Sequence, residues 1–298
     1  MGLSIICKFP FELLNHFIFF ASYQKLLITM IFNNSLEIPF AQFENLLPFN
    51  KSVLHFITTR NGSIPPSVEN NFTIGLNGAV DNQTVLDNRK IIAKQFSISP
   101  DSFVFASQVH GSRIAIVKDE DRGKGAFDRA SYLCDVDAMI TDKKGICLIT
   151  QAADCVPILF YDPKKKVIGA AHAGWKGTVS KIPAEMIKTF ISEFNSNPSD
   201  IVVGIGPSIG SCCYEIGNEV VELVEKAFGS CDGLILENDK FPKPVFDLWE
   251  ANRRTLIDSG IMPENIELAG LCTKCNSNFF FSARAGDKGR FGAAIMLK

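Results

Sequence analysis

The chain has 298 residues, 46% of them hydrophobic and 21% charged, with a formal net charge of −2. That length and balance describe a soluble globular protein of one large domain or two small ones. Near-neutral charge excludes a nucleic-acid partner held by phosphate neutralisation, which needs a concentrated basic surface. The nine cysteines are odd in number and irregularly spaced. That argues for free thiols in a reducing compartment, so the expected location is cytoplasmic.

Residues 3–32 are rich in Leu, Ile and Phe but are broken by Lys8, Pro10, Glu12, Asn15, His16, Gln24 and Lys25. No apolar run approaches the roughly 18 residues that a membrane helix requires, and no small-residue cleavage site follows. No membrane partner is expected. Met30 precedes a more conventional polar start, so residues 1–29 read either as a mis-assigned upstream extension or as a poorly packed leader helix. Residues 1–35 are therefore set apart as an N-terminal extension, and 36–298 as one continuous domain.

Within that domain a strand is predicted at 53–58, followed by a polar loop over 60–71. Asp81 caps a helix running to about Phe96, with Val85, Ile92 and Phe96 on one face. Strands dominate from Phe103 to His172, the first of them running through to His110. A helix is predicted over 178–194, with Ile187, Phe190, Ile191 and Phe194 as its apolar stripe and Pro183 in its opening turns. A strand at 201–205, a helix at 218–228, a helix capped by Asp247 and closed by Gly260, and a last strand at 291–297 complete the order. No internal repeat or low-complexity linker occurs. The strands do not alternate strictly with helices, so the expected fold is α+β, a mixed β-sheet core with helices packed on its faces.

Two of the four histidines sit where apolar segments meet small residues: His110 in Gln-Val-His-Gly and His172 in His-Ala-Gly-Trp-Lys-Gly. Cys155 falls between apolar runs at 146–149 and 156–161. Three readings stand. Imidazole and thiolate are zinc ligands, and three protein ligands with an open position describe a catalytic site. Cys155 as nucleophile with His172 as base is a metal-free alternative. The blandest is two hydrogen-bonded histidines and a buried cysteine. Asp154 points away from Cys155 if the segment is extended, and is read as an orienter or proton carrier.

Other motifs carry less. Cys272-Thr-Lys-Cys275 is half a zinc knuckle whose only complement is Cys212-Cys213, and adjacent thiols are poor chelators of one tetrahedral ion, so these cysteines are expected to bind no metal. The glycines at 204, 206 and 210 do not fit a dinucleotide loop, since Pro207 removes a donor and no helix follows directly. The turn at 174–177 with Lys176 makes an anion cradle, to which Arg60 and Arg284 would add bidentate contacts.

Taken together, Thr-Thr-Arg-Asn-Gly (58–62), Gln-Val-His-Gly (108–111), Asp-Ala-Met-Ile-Thr (137–141), Ala-Asp-Cys-Val-Pro (153–157) and His-Ala-Gly-Trp-Lys-Gly (172–177) resemble the YfiH family. These are the laccase-domain proteins first labelled multicopper polyphenol oxidases. Gly-Pro-Ser-Ile-Gly-Ser-Cys-Cys-Tyr-Glu (206–215), Cys-Thr-Lys-Cys (272–275) and Phe-Phe-Ser-Ala-Arg (280–284) extend the resemblance over 53–298.

The resemblance implies a zinc ion on His110, Cys155 and His172. It also implies purine nucleoside phosphorylase activity, with adenosine deaminase and methylthioadenosine phosphorylase activities in the same site. Purine nucleosides and phosphate would then be the partners, with Arg60, Lys176 and Arg284 as substrate residues and Cys155 and Asp154 as catalytic ones. The alternative it implies is a Cys-His hydrolase acting in peptidoglycan precursor editing, as described for bacterial relatives. Three positions depart from the usual pattern: Ala153 stands for Thr, Lys176 for Arg and Ala283 for Tyr. Oligomeric state is not legible in the sequence. Multicopper oxidation is discounted by count, because four histidines cannot supply both a blue-copper centre and a trinuclear cluster.

Overall fold

Continuous burial along the central strands, whose side chains point alternately to either side, gives each sheet of this protein two covered faces. The computed structural model describes residues 30–33, 38–61, 72–237 and 240–298. Residues 1–29 and most of the 60–71 loop therefore lie outside the described residues. In chain order the elements are β1 (Ile31–Asn33), β2 (Phe40–Gln42), β3 (Val53–Thr58), α1 (Asn82–Gln95), β4 (Phe103–Phe105), β5 (Ile114–Ile116), β6 (Ala138–Thr141), β7 (Cys147–Ala152), β8 (Val156–Asp162) and β9 (Val167–Ala173). Then come α2 (Trp175–Val179), α3 (Ile182–Phe194), β10 (Val202–Ile205), α4 (Asn218–Phe228), β11 (Ile235–Leu236), β12 (Val245–Phe246), α5 (Leu248–Asp258), β13 (Ile266–Leu268) and β14 (Phe291–Leu297).

The expected mixed sheet is in fact two. The first has the order β1-β2-β3-β14-β7-β4 and the second β13-β10-β8-β9-β6-β5, with a small β11-β12 hairpin beside them. Each large sheet mixes antiparallel pairs with parallel ones, β4 with β7 in the first and both β5 with β6 and β10 with β13 in the second. Strand pairing reaches Ile31–Asn33, on the N-terminal side of the boundary read at residue 36.

Three packed layers of side chains hold the sheets and helices. Between the sheets lie Leu148, Ala293 and Ile295 from one and Leu159, Tyr161, Ile168 and Ala170 from the other. The opposite face of the first sheet, with Ile149, Ala294 and Met296, packs against Val85 and Ile92 of α1. The opposite face of the second sheet, with Ile158, Phe160 and Ala171, packs against Met186, Ile187 and Phe190 of α3 and Leu256 of α5. The period of two in the strands thus meets the period of 3.6 in the helices on both outer faces.

Most predicted elements form where their caps and turns place them. Asp81 accepts the Thr84 amide at 3.0 Å and Asp247 accepts that of Glu250 at 3.0 Å. Two expectations are corrected. The helix read over 178–194 is two helices, with Lys181 in the left-handed region at φ 54° between them. Pro183 cannot bond back to residue 179, and its ring would strike that carbonyl in a continuous helix. The strand read through to His110 ends at Phe105 as β4, and Gln108 and His110 take positive φ values of 36° and 63°.

Arg89 of α1 is 2% exposed and ties two loops to the helix. Its guanidinium donates to the carbonyls of Ile74, Gly125 and Ala126 at 2.6–3.0 Å and to the Tyr132 hydroxyl at 3.0 Å, lying over the Phe105 ring. Those loops carry Leu76, Asn77, Arg129 and Tyr132 into the wall of a cavity of about 670 Å³. Arg89→Ala strands several buried carbonyls and should cost about 3 kcal/mol or more, read from the urea midpoint. A loss below about 0.5 kcal/mol would show that the loops hold themselves.

Candidate metal centre

The site sits where the chain crosses from one sheet to the other. The β4-to-β5 crossing carries Gln108–Gly111, the β7-to-β8 crossing carries Asp154 and Cys155, and β9 carries His172 next to its last residue. Ligand atoms of His110, Cys155 and His172 all lie within 4.8 Å of one another. The two imidazoles meet edge to face, with centroids 4.9 Å apart. His110 is exposed, Cys155 half-buried and His172 buried. Residues 45 and 17 positions apart in sequence are thus brought together, and among the described residues no fourth His, Cys, Asp or Glu joins them.

Asp137, quoted above in a motif but given no role, organises the group. Its Oδ1 lies 2.9 Å from His172 Nδ1 and also accepts the His110 amide at 2.9 Å, while Oδ2 accepts the amides of Gly111 at 2.7 Å and Val109 at 3.2 Å. The bond to Nδ1 leaves Nε2 of His172 for a metal, the carboxylate–histidine arrangement found behind metal ligands. Burial opposes the Asp137 charge, yet the His172 ring and the Gly111 and His110 amides hold its carboxyl below the ordinary range.

Gly174 makes the convergence possible. A Cβ there would stand 2.9 Å from His110 Cδ2 and 3.1 Å from Cys155 Sγ, closer than carbon and sulfur can pack. The glycine read from sequence as part of an anion cradle has this second task, clearing space for two of the three ligands.

Cys155 and His172 polarise each other. Burial alone would push the Cys155 thiol up, but the His172 charge and hydrogen bonds from His110 and His172 reverse this and bring it down to about 6. Burial likewise works against charge on His172, and the Cys155 thiolate and the Asp137 carboxylate overcome it and raise the ring to about 9. One thiolate and two imidazoles with an open side facing a cavity form the donor set that zinc prefers.

The remaining predicted residues are spread differently. Asp154 is not extended but sits at φ 88°; it lines the cavity beside Cys155. Its Oδ1 accepts the Thr273 hydroxyl at 2.6 Å and its Oδ2 the Arg284 amide at 2.7 Å. Arg284 lines the same cavity of about 670 Å³, its guanidinium over the Tyr214 ring and donating to the Glu215 carbonyl at 3.2 Å.

Arg60 and Lys176 do not line it. Arg60 pairs with Asp287 at 3.1 Å and donates to the Ser277 carbonyl, and the exposed Lys176 lies over the Trp175 ring. Arg129 and Arg290, unremarked in the sequence, do line the cavity. Nothing in their local sequence separates them from ordinary surface arginines.

The matching family model, described as "Multi-copper polyphenol oxidoreductase laccase", covers residues 54–298, and the chain belongs to this YfiH-like laccase family. It is similar to "Purine nucleoside phosphorylase YlmD" of Bacillus subtilis (strain 168), 40% identical over 251 residues that cover 84% of this chain and 90% of the relative. "Adenosine deaminase RL5", from an unknown prokaryotic organism, is 34% identical over 200 residues, covering 67% of this chain and 76% of the relative. The crystal structure of the Bacillus licheniformis hypothetical protein YfiH superposes with a TM-score of 0.82 at 36% identity, covering 90% of this chain and 99% of that one.

Two outcomes check the centre. Asp137→Asn should weaken zinc affinity by about 10- to 100-fold, measured against a competing chromophoric chelator. Unchanged affinity would deny Asp137 its orienting role. The pH profile carries its own sign. With Cys155 at about 6 and His172 at about 9, the metal-free pair between those values is thiolate and imidazolium. Zinc must then displace the His172 proton, so affinity should rise about tenfold per pH unit from 6 to 9 and level off above. Below about 6 it should fall faster, because Cys155 must also release a proton. A flat profile between pH 6.5 and 8.5 would contradict the pairing.

Proposed function

We propose that the protein is a zinc-dependent purine nucleoside phosphorylase with adenosine deaminase and methylthioadenosine phosphorylase activities in one cavity. The observation that carries this reading is the His110–Cys155–His172 group facing a cavity of about 670 Å³ that also presents Arg284 and aromatic rings. The names of the relatives support the same reading. The volume suits a nucleoside with a phosphate beside it.

Zinc on these three residues would supply a Lewis acid for the leaving purine and for the water used in deamination. In phosphorolysis a phosphate oxygen bonds to the ribose anomeric carbon as the bond to the purine nitrogen breaks, and the purine takes up a proton. Arg284 holds the phosphate by charge-assisted hydrogen bonds. Its backbone is fixed by Asp154 and its loop by Asp287, which accepts the Ser282 amide at 2.9 Å and pairs with Arg60. Arg60 thereby supports the phosphate site from behind, and Lys176 adds positive charge at its approach. Trp175, Tyr132 and Tyr214 offer faces to the purine.

Asp154 carries the proton, through the lone pairs not engaged by Thr273 and Arg284. Nucleoside substrates and free thiols support a cytoplasmic location.

The thiolate–imidazolium pair also favours a second reading, a Cys-His hydrolase with Cys155 as nucleophile acting on peptidoglycan precursors. Strict chelation separates the two. Cleavage of a muropeptide that survives metal removal would favour the nucleophile, whereas phosphorolysis lost on chelation and restored by zinc favours the metal.

Phosphate-dependent turnover of inosine, adenosine and methylthioadenosine, read by product identity, tests the proposal directly. Arg284→Ala should raise the KM for phosphate by about 10- to 100-fold while sparing deamination, since only phosphorolysis needs the anion. Equal loss of both activities in a folded, zinc-loaded variant would remove Arg284 from the phosphate site.

A further inference from the structure

The four cysteines expected to bind no metal come together. Sγ of Cys212 lies 3.8 Å from that of Cys213 and 3.6 Å from that of Cys275, and Cys213 and Cys275 are 3.5 Å apart. Cys272 completes the group, all four sulfurs lying within 4.8 Å of one another. Four sulfurs at about 2.3 Å around a tetrahedral zinc ion stand about 3.8 Å from each other, and the three edges among Cys212, Cys213 and Cys275 are close to that length. Adjacent cysteines escape the geometric objection raised from sequence because residues 211–213 form a turn, closed by the Cys213 amide on the Gly210 carbonyl at 2.9 Å. The thiols are therefore not held on opposite sides of an extended chain.

The backbone around the cluster is already organised. Ser208 and Cys272 form a parallel bridge, with Ser208 N donating to the Leu271 carbonyl and Thr273 N to the Ser208 carbonyl. Asn276 closes the Cys-x-x-Cys turn, its amide and side chain both donating to the Cys272 carbonyl at 2.9 and 2.8 Å. Cys272 is buried, Cys213 and Cys275 are half-buried and Cys212 is exposed, so an ion can enter from one side.

We infer that Cys212, Cys213, Cys272 and Cys275 form a second zinc site, a closed structural tetrathiolate that clamps residues 206–214 to residues 271–279. Closure by four protein ligands distinguishes it from the open three-ligand centre. Both clamped loops serve the cavity: the first ends at Tyr214, beneath the Arg284 guanidinium, and the second carries Thr273, which holds Asp154. The two cysteine pairs, some sixty residues apart in sequence, meet beside the bridge at Ser208, and the turn at 211–213 removes the objection to adjacent thiols.

The inference does not depend on the purine reading. Full-length protein purified with zinc under reducing conditions should carry about two zinc ions per chain, one in each centre. In the Cys155→Ala, His172→Ala variant, which empties the first centre, about one should remain, and X-ray absorption should give sulfur neighbours only, at about 2.3 Å. The Cys272→Ser, Cys275→Ser variant should lose that ion and melt several degrees lower. If it fails to fold, Cys212→Ser at the exposed ligand should release zinc to a chelator at least about tenfold faster than wild type. A Cys155→Ala, His172→Ala variant that is folded and holds no zinc would overturn the second site alone. So would immediate labelling of Cys212, Cys213, Cys272 and Cys275 themselves, located by peptide mass mapping, or their oxidation in pairs, in zinc-replete protein. Loss of zinc from the first centre with the sulfur-only signal retained would instead count against the catalytic metal.

Discussion

A single buried carboxylate holds the active region together. Asp137 accepts three consecutive backbone amides, at Val109, His110 and Gly111, and pairs with His172 on the neighbouring strand. The turn it grips is an unfavourable one. Gln108 and His110 both have positive φ, which costs a residue with a side chain about 1 kcal/mol or more. Three amide bonds to an ionised acceptor are enough to offset that cost, because hydrogen bonds to charged groups contribute about 1.5–3 kcal/mol each. Asp137 thus sets the position of one candidate ligand, His110, through its backbone and the orientation of another, His172, through its ring.

The two-sheet architecture explains why such a turn exists. A chain that builds two stacked sheets must cross between them, and the connections β4 to β5, β7 to β8 and β13 to β14 all do so. These crossings carry His110, Cys155 and Arg284. The ladder does not end abruptly where β4 stops: the Gln108 side chain donates to the Gln151 carbonyl at 2.7 Å and accepts the Gln151 amide at 2.8 Å, as a backbone partner would. A side-chain amide continues the pairing while the main chain turns away, which frees the backbone of residues 109–111 to reach Asp137. Loops fixed in this way on a rigid scaffold are where polar chemistry can be placed without disturbing the core.

How much of this was legible follows from which forces act locally. Strands β3 and β14 and helix α4 fall at their predicted limits, since alternation, glycines and helix periodicity are short-range signals. His110, Cys155 and His172 were legible because His and Cys are rare and carry metal chemistry in their side chains. Asp137 was not, because an aspartate before an apolar strand looks like any strand-entry turn, and its partners lie 26 to 35 residues away. The cysteine pairs 212–213 and 272–275 are matched by sequence but set aside on the geometry of adjacent thiols, and only the fold shows the turn at 211–213 that lets all four sulfurs converge. Arg60 stands out by its small and polar neighbours, yet its guanidinium is engaged by Asp287 and Ser277, while Arg129 and Arg290 line the cavity without a local mark. Ion pairing between distant segments is invisible to a window of neighbours.

The oxidase label attached to this family can be weighed against the same side chains. A blue-copper centre needs two histidines, a cysteine and a weak axial ligand, usually methionine. The first three are present, but among the described residues no methionine lines the cavity. A coupled copper cluster needs many further imidazoles, and the chain has four histidines in all. His110 and His172 are already assigned. His55 is buried in β3 with its Nε2 accepting the Phe43 amide at 2.9 Å, and burial lowers its pKa to about 4. Its neutral ring is a core acceptor whose one free lone pair is spent. Were His16 recruited as well, one imidazole could not build a cluster. The imidazoles of this chain therefore suffice for one mononuclear centre with an open face, and the Cys155 thiolate beside them suits an anionic ligand to a redox-silent ion better than a conduit for electrons.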